Sequence, residues 1–129
     1  MIQEWIQEIK AKSPKDQLGM LLVHNGIVRA TSKEGKPVQG MFLSFDESLL
    51  DNTIARFKEA DGIVDIKVWI NQGKLSIGDD IMFVLVAGRF RTDVLPVFQE
   101  LIREIKNNVV TEKEMLGLAV SCKRLRQEN

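Results

Sequence analysis

The sequence predicts an α+β protein: a single domain, residues 1–129, with a mixed or antiparallel sheet and helices mainly on one face. Three observations lead there. DIMFVLVAG, Asp80 to Gly88, is apolar enough for a central strand buried on both faces. IVDIKVWI, Ile63 to Ile70, alternates as a half-buried strand, and Val94, Leu95, Phe98, Leu101, Ile102 and Ile105 recur at helical spacing. The resulting order of helix, hairpin, helix, strand pair and helix combines hairpins with one β-α-β passage.

Taken in order, Ile2, Trp5, Ile6 and Ile9 fall on one stripe of an amphipathic helix over residues 1–12, which Ser13-Pro14 ends. Leu18 to Ala30 is β-prone, TSKEGKP is rich in turn formers, and Val38 to Phe45 is again β-prone, so the three read as a hairpin with a long tip. Gly26 inside the first of these strands predicts a bulge. Asp46 can cap a helix with Leu49, Leu50, Ile54 and Phe57 on one stripe, and Gly62 is placed to end it. Asn71-Gln72-Gly73 turns the chain, and Thr92 is the expected cap of the helix leading to Lys106. Asn107-Asn108 breaks that helix. Thr111-Glu112-Lys113-Glu114 has the pattern of a capping box, so residues 111–127 are expected to form a C-terminal helical tail with Met115, Leu116, Ala119 and Val120 on one side.

Composition excludes several classes of function. At 44% hydrophobic and 28% charged residues the balance is that of an ordinary globular domain. Eighteen basic residues offset eighteen acidic ones, so no net field draws the chain to nucleic acid or an anionic membrane, and any positive site must be local. No apolar run approaches the roughly 20 residues that span a bilayer, and MIQEWIQEIK carries acids where a signal peptide is apolar; a cytoplasmic protein is expected. Cys122 has no disulfide partner and His24 no companions at metal-ligand spacing, so neither zinc nor a Cys/His dyad is expected. His24, Trp5 and Trp69 are read as packing residues, and Cys122 as a small buried hydrophobe.

Four cations remain as candidates. Lys106 and Lys113 stand seven positions apart, Arg29 ends an apolar strand, and Arg91 lies with Arg89 just before a helix N-terminus. Each also has a purely structural explanation. A lysine at a helix C-terminus is favoured by the dipole, a lysine in a first turn is commonly solvated, Arg29 can serve a salt bridge, and paired loop arginines are common.

The run GKLSIGDDIMFVLVAGRFRTDVLPVFQELIREIK, Gly73 to Lys106, together with GIVR, Gly26 to Arg29, resembles the large subunit of molybdopterin synthase over roughly residues 18–114. The resemblance rests on the order and spacing of a Gly-x-Leu-x-x-Gly-Asp turn, an apolar strand, an arginine and a helix ending in lysine. It implies a sulfurtransferase of molybdenum cofactor biosynthesis. Its substrate would be cyclic pyranopterin monophosphate, and its sulfur would come from the thiocarboxylated Gly-Gly terminus of a ubiquitin-like small subunit. It also implies a homodimer and no resident cofactor or metal. In that resemblance Lys106 and Lys113 match the family's active-site lysines, while Arg29 and Arg91 match arginines that would hold the substrate phosphate. Phe90 and Ile70 stand where the family has histidines, and Glu112 where it has an aromatic residue. Those departures keep open a non-catalytic relative that binds a ubiquitin-like partner or another anionic ligand.

Overall fold

The computed structural model describes residues 1–116 and 119–120. Its elements are α1 (Ile2–Lys12), β1 (Met20–Ile27), β2 (Gly40–Phe45), α2 (Glu47–Lys58), β3 (Ile63–Ile70), β4 (Gly73–Ser76), β5 (Asp80–Gly88), α3 (Arg91–Glu104), a π-helical turn (Ile105–Val109), β6 (Val110–Leu116) and β7 (Ala119–Val120). The α+β class holds, but the strands form two sheets rather than one. Their orders are β1-β5-β3 and β4-β2-β6-β7, and every strand pair is antiparallel.

β5 is the central strand its composition predicts. Met82, Val84, Leu85, Val86 and Ala87 are all 0% exposed, so residues of both parities, and therefore both faces of the strand, are covered. Met82, Val84 and Val86 pack with Leu50 from α2 and with Leu101, Ile102 and Ile105 from α3 and the turn after it. Leu85 and Ala87 meet Ile9, Trp5 and Ile6 of α1. The inward residues of the second sheet, Met41, Leu43, Leu75 and Val110, join the same main core. Two helices thus share one face of the three-stranded sheet and the short α1 takes the other. Trp5 and Trp69 are half-buried.

Several local expectations hold for the physical reasons that suggested them. The Leu49 amide donates to the Asp46 carboxylate at 3.0 Å, capping α2. Pairing of β1 with β5 shifts register between Gly26 and Ile27, as a bulge requires. Five expectations are corrected. β1 and β2 do not form a hairpin: β1 pairs with β5, while β2 pairs with β4 and β6. The turn-forming segment between them is closed by a Thr31–Pro37 bridge, and within it the Gly35 amide donates to Ser32 O and the Lys36 amide to Ser32 Oγ. The Val28 amide donates to Asp79 O, and the chain crosses there from one sheet to the other, so β2 and β3 form no β-α-β unit within one sheet. Thr92 does not cap α3; the amides of Asp93 and Val94 donate to Phe90 O, which sets the helix start at Arg91.

Gly62 is not the terminator of α2, which ends at Lys58. It lies instead in the turn entering β3 at φ +80°, where a Cβ would collide with the Asp93 side chain. Residues 111–116 of the expected helical tail are strand. Val109, Val110 and Thr111 are β-branched, and the free edge of β2 offers a ladder that the isolated capping pattern could not outweigh. Met115 and Leu116 pair with Val120 and Ala119 of β7. The remainder of the predicted tail, Cys122 included, lies outside the described residues.

Candidate functional site

Two neighbouring chemical environments arise where α3 hands over to β6. The last turn of α3 widens into the five-residue π-helical stretch Ile105–Val109, which carries Lys106. Wider turns of this kind recur at functional sites because they displace a side chain from the regular helical stripe. Lys106 is only 9% exposed. Burial draws its ammonium below the ordinary lysine range; the carboxylate of Glu112 opposes that shift and the charge of Lys33 adds to it. His24 on β1 belongs to the same neighbourhood. Burial, and then the Lys106 charge, hold its imidazole below the ordinary histidine range, and its Nε2 is buried without a hydrogen-bond partner among the described residues. Glu112 is itself 2% exposed. The interior locus therefore joins a buried ammonium, a buried carboxylate and an imidazole, the set of groups needed for proton transfer.

Lys113 faces the other way. β6 alternates, so Val110, Glu112 and Glu114 project inward while Thr111 and Lys113 project outward. Lys113 lines a pocket of about 570 Å³ with Phe42, Ser44, Gln72, Lys74 and Thr111; Lys106 is not among its lining residues. Within a protomer the two lysines are thus divided between the inner and outer faces of β6. Glu112 and Glu114 flank Lys113 in sequence, yet both lie on the opposite face of the strand from it.

Arg29 is exposed just after β1, its guanidinium donating to Thr31 Oγ1 at 3.4 Å and Ser32 O at 3.3 Å. It therefore holds the loop that also carries Lys33. Arg91 is exposed at the first position of α3. At 1.5 Å per residue it stands about 20 Å along that helix from the Lys106 end. Its neighbour Arg89 is committed elsewhere, to Asp93 at 3.2 Å and Asp61 at 3.7 Å. One protomer does not gather the four predicted cations in one cleft.

Sequence reasoning passed over Lys74 and Phe42, and it treated His24 as packing. Register would have found the first two, because Phe42 is the partner of both Lys74 and Lys113. Of the positions where histidine was expected from the resemblance, Ile70 is in the main core and Phe90 is 59% exposed, with the Arg89 guanidinium 5.1 Å from its ring centroid. Among the described residues, no helix is long and apolar enough to cross a membrane.

Two antiparallel sheets with helices on the central strand define the class as α+β, and the lysines on the two sides of the strand that follows the last helix are its candidate site. Known proteins carry the same architecture. The structure superposes on molybdopterin synthase from Staphylococcus aureus with a TM-score of 0.72 at 20% identity, covering 90% of this chain and 87% of that one. It superposes on the molybdopterin biosynthesis MoaE protein from Burkholderia ambifaria with a TM-score of 0.75 at 21% identity, covering 100% and 86%. A complex of subunits 1 and 2 of molybdopterin-converting factor from Helicobacter pylori gives a TM-score of 0.70 at 22% identity, covering 97% and 80%. In sequence, an uncharacterised protein from Methanocaldococcus jannaschii is 30% identical over 96 residues, 71% of this chain and 81% of that protein.

The MoaE protein family profile matches residues 2–108. The chain belongs to the MoaE family, as a divergent member, and its place is that of a large subunit in molybdenum cofactor biosynthesis.

Proposed function

We propose that the chain transfers sulfur from the C-terminal thiocarboxylate of a small ubiquitin-like subunit to a cyclic pyranopterin monophosphate. The observation that carries this reading is the family match, which runs from residue 2 to residue 108 and so includes Lys106 and its π-helical turn. A second support is chemical. Because the partner brings the sulfur nucleophile, the large subunit needs no Ser/His/Asp or Cys/His set; it needs cations that hold two anions together and groups that move protons. Lys106, with its ammonium drawn towards neutrality by burial, suits proton transfer, and Lys113 on the outer face suits charge stabilisation. Arg29 and Arg91 are the proposed phosphate-side arginines.

The distance along α3 between Arg91 and Lys106 gives a homodimer a role in this reading: a second copy can bring its own Arg91 towards the Lys106 end of the first. The small-subunit partner is proposed on the same footing, with the Helicobacter pylori relative solved as a complex of its two subunits. Cytoplasmic residence, where pterin substrate and partner would be met, completes the proposal.

The test is turnover. Purified protein, thiocarboxylated partner and cyclic pterin should yield the dithiolene product. Lys106→Ala and Lys113→Ala should each lower the rate more than tenfold, and sedimentation should give twice the protomer mass. A wild-type protein that binds the partner and produces no dithiolene would defeat the proposal. That outcome would favour the second reading, a partner-binding relative without chemistry, to which the core position of Ile70 and the exposed Phe90 lend weight.

A further inference from the structure

Glu112 is 2% exposed, which is rare for a carboxylate, and it stands where the resemblance leads one to expect an aromatic side chain. Its surroundings are those of a core position. It is in register with the buried Leu43 of β2, and it follows the buried Val110 on the inner face of β6. A charge taken into such surroundings needs an opposite charge close by. Lys106 supplies it from the π-helical turn that leads directly into β6, where the Val110 amide donates to Ile105 O across the junction.

A lysine on a wide turn has a flexible four-carbon stem with which to reach solvent, and an isolated ammonium takes that route. Lys106 stays buried instead. Loss of hydration works against its charge, and the Lys33 ammonium in the loop between β1 and β2 repels it. Glu112 is the one opposite charge acting on it among the described residues. The other elements around the turn offer no substitute. Glu104, the last residue of α3, is committed to Arg56 of α2 at 3.2 Å, and His24 on β1 is pressed by the Lys106 charge instead of supporting it. The field that keeps the ammonium inside also limits how far burial carries it towards the amine.

We propose that Glu112 is a positioning residue for Lys106: the carboxylate inside β6 keeps the lysine ammonium turned into the fold and sets how readily it gives up its proton. Glu112 acts through Lys106 and not on substrate. This deepens the sulfur-transfer reading and rests on it for what Lys106 does with that proton. The alternative is a purely structural ion pair that only fastens β6 to the turn before it. Such a pair predicts loss of folded protein on substitution, with no change in how the remaining folded molecules titrate or turn over.

Full-length protein carrying ¹³Cε-labelled lysine reads the Lys106 titration directly by NMR, with Lys106→Met assigning the resonance. Glu112→Gln, of nearly the same shape, removes the attracting charge and should lower the Lys106 pKa by about one unit or more; Glu112→Asp should keep it within about half a unit of wild type. In the sulfur-transfer assay the limb of the kcat profile that reports Lys106 should move to lower pH with it, while KM for pterin and partner stays within about threefold. Glu112→Asp should return the limb towards its wild-type position. If Glu112→Gln does not fold at neutral pH, adding Lys106→Met must restore the fold, because both charges are then gone. A double variant that stays unfolded overturns the pairing, and so does a folded Glu112→Gln in which Lys106 titrates as in wild type. An active wild type whose kcat profile is unchanged by Glu112→Gln sinks the positioning role alone. A Lys106 titration that follows Glu112 in a protein that transfers no sulfur sinks the sulfur-transfer reading alone.

Discussion

At the scale of single residues, the most informative pair is Lys106 and His24. Each is destabilised in its charged form by burial, and the Lys106 charge presses further on the imidazole. Replacing Lys106 with methionine should therefore raise the His24 pKa measured by NMR, while burial still holds it below the ordinary value; an unchanged titration would show that the two groups do not communicate. The sign for stability follows. The unfolded chain takes up a proton at His24 near pH 6.5, before the folded chain does, so stability falls as pH drops below that point. The wild type should lose more over that interval than Lys106→Met does in a denaturant series. Lys113→Ala, on an exposed strand position, should change stability by no more than about 0.5 kcal/mol, so that any loss of turnover reports on the site. Resemblance alone made Lys106 and Lys113 legible. Their division between inner and outer faces was not legible, because it depends on a π-helical turn and a strand that no local pattern announces. A lone histidine, likewise, carries no signal of the cation it will meet.

Among the elements, α2 and α3 form where periodicity placed them, and their caps and buried stripes make quantitative claims. Asp46→Ala removes an acceptor for the Leu49 amide and should lower stability by about 1 kcal/mol, with Asp46→Asn close to neutral in the same urea titration. Leu101, fully buried between α3 and β5, should lose about 2–5 kcal/mol on truncation to alanine. Strand partners were harder to read than strands. β1 and β2 were both recognisable from their β-prone runs, yet the turn formers between them join two sheets rather than a hairpin. Residues 111–116 show the reverse failure, since a sound capping pattern lost to the vacant edge of β2. In both cases the deciding interactions come from segments far away in the chain: β5 lies some 60 residues from β1, and β6 some 70 from β2.

For the whole molecule, the absence of net charge leaves function to local arrangement: the outer face of the four-stranded sheet gathers Lys74 and Lys113, which make no salt bridge among the described residues, although positive and negative residues balance overall. The three-stranded sheet, the turn entering β3 and α3 meet closely at Gly88, where a Cβ would fall against the Gly62 carbonyl and the Val94 side chain. Gly88→Ala should accordingly destabilise the entire fold by about 1–3 kcal/mol, seen as a cooperative shift in the unfolding midpoint and not as local fraying. The wide turn at Ile105–Val109 has a consequence for how this family can change. It sets the phase with which β6 enters its sheet, and a strand displaced by one residue exchanges its two sides. Deleting Asn108 while keeping the ladder would bring Lys113 into the interior and turn Glu112 out to solvent. The count of residues separating Lys106 from Lys113 is thus held to odd-or-even arithmetic, and insertions there are tolerable in pairs long before they are tolerable singly.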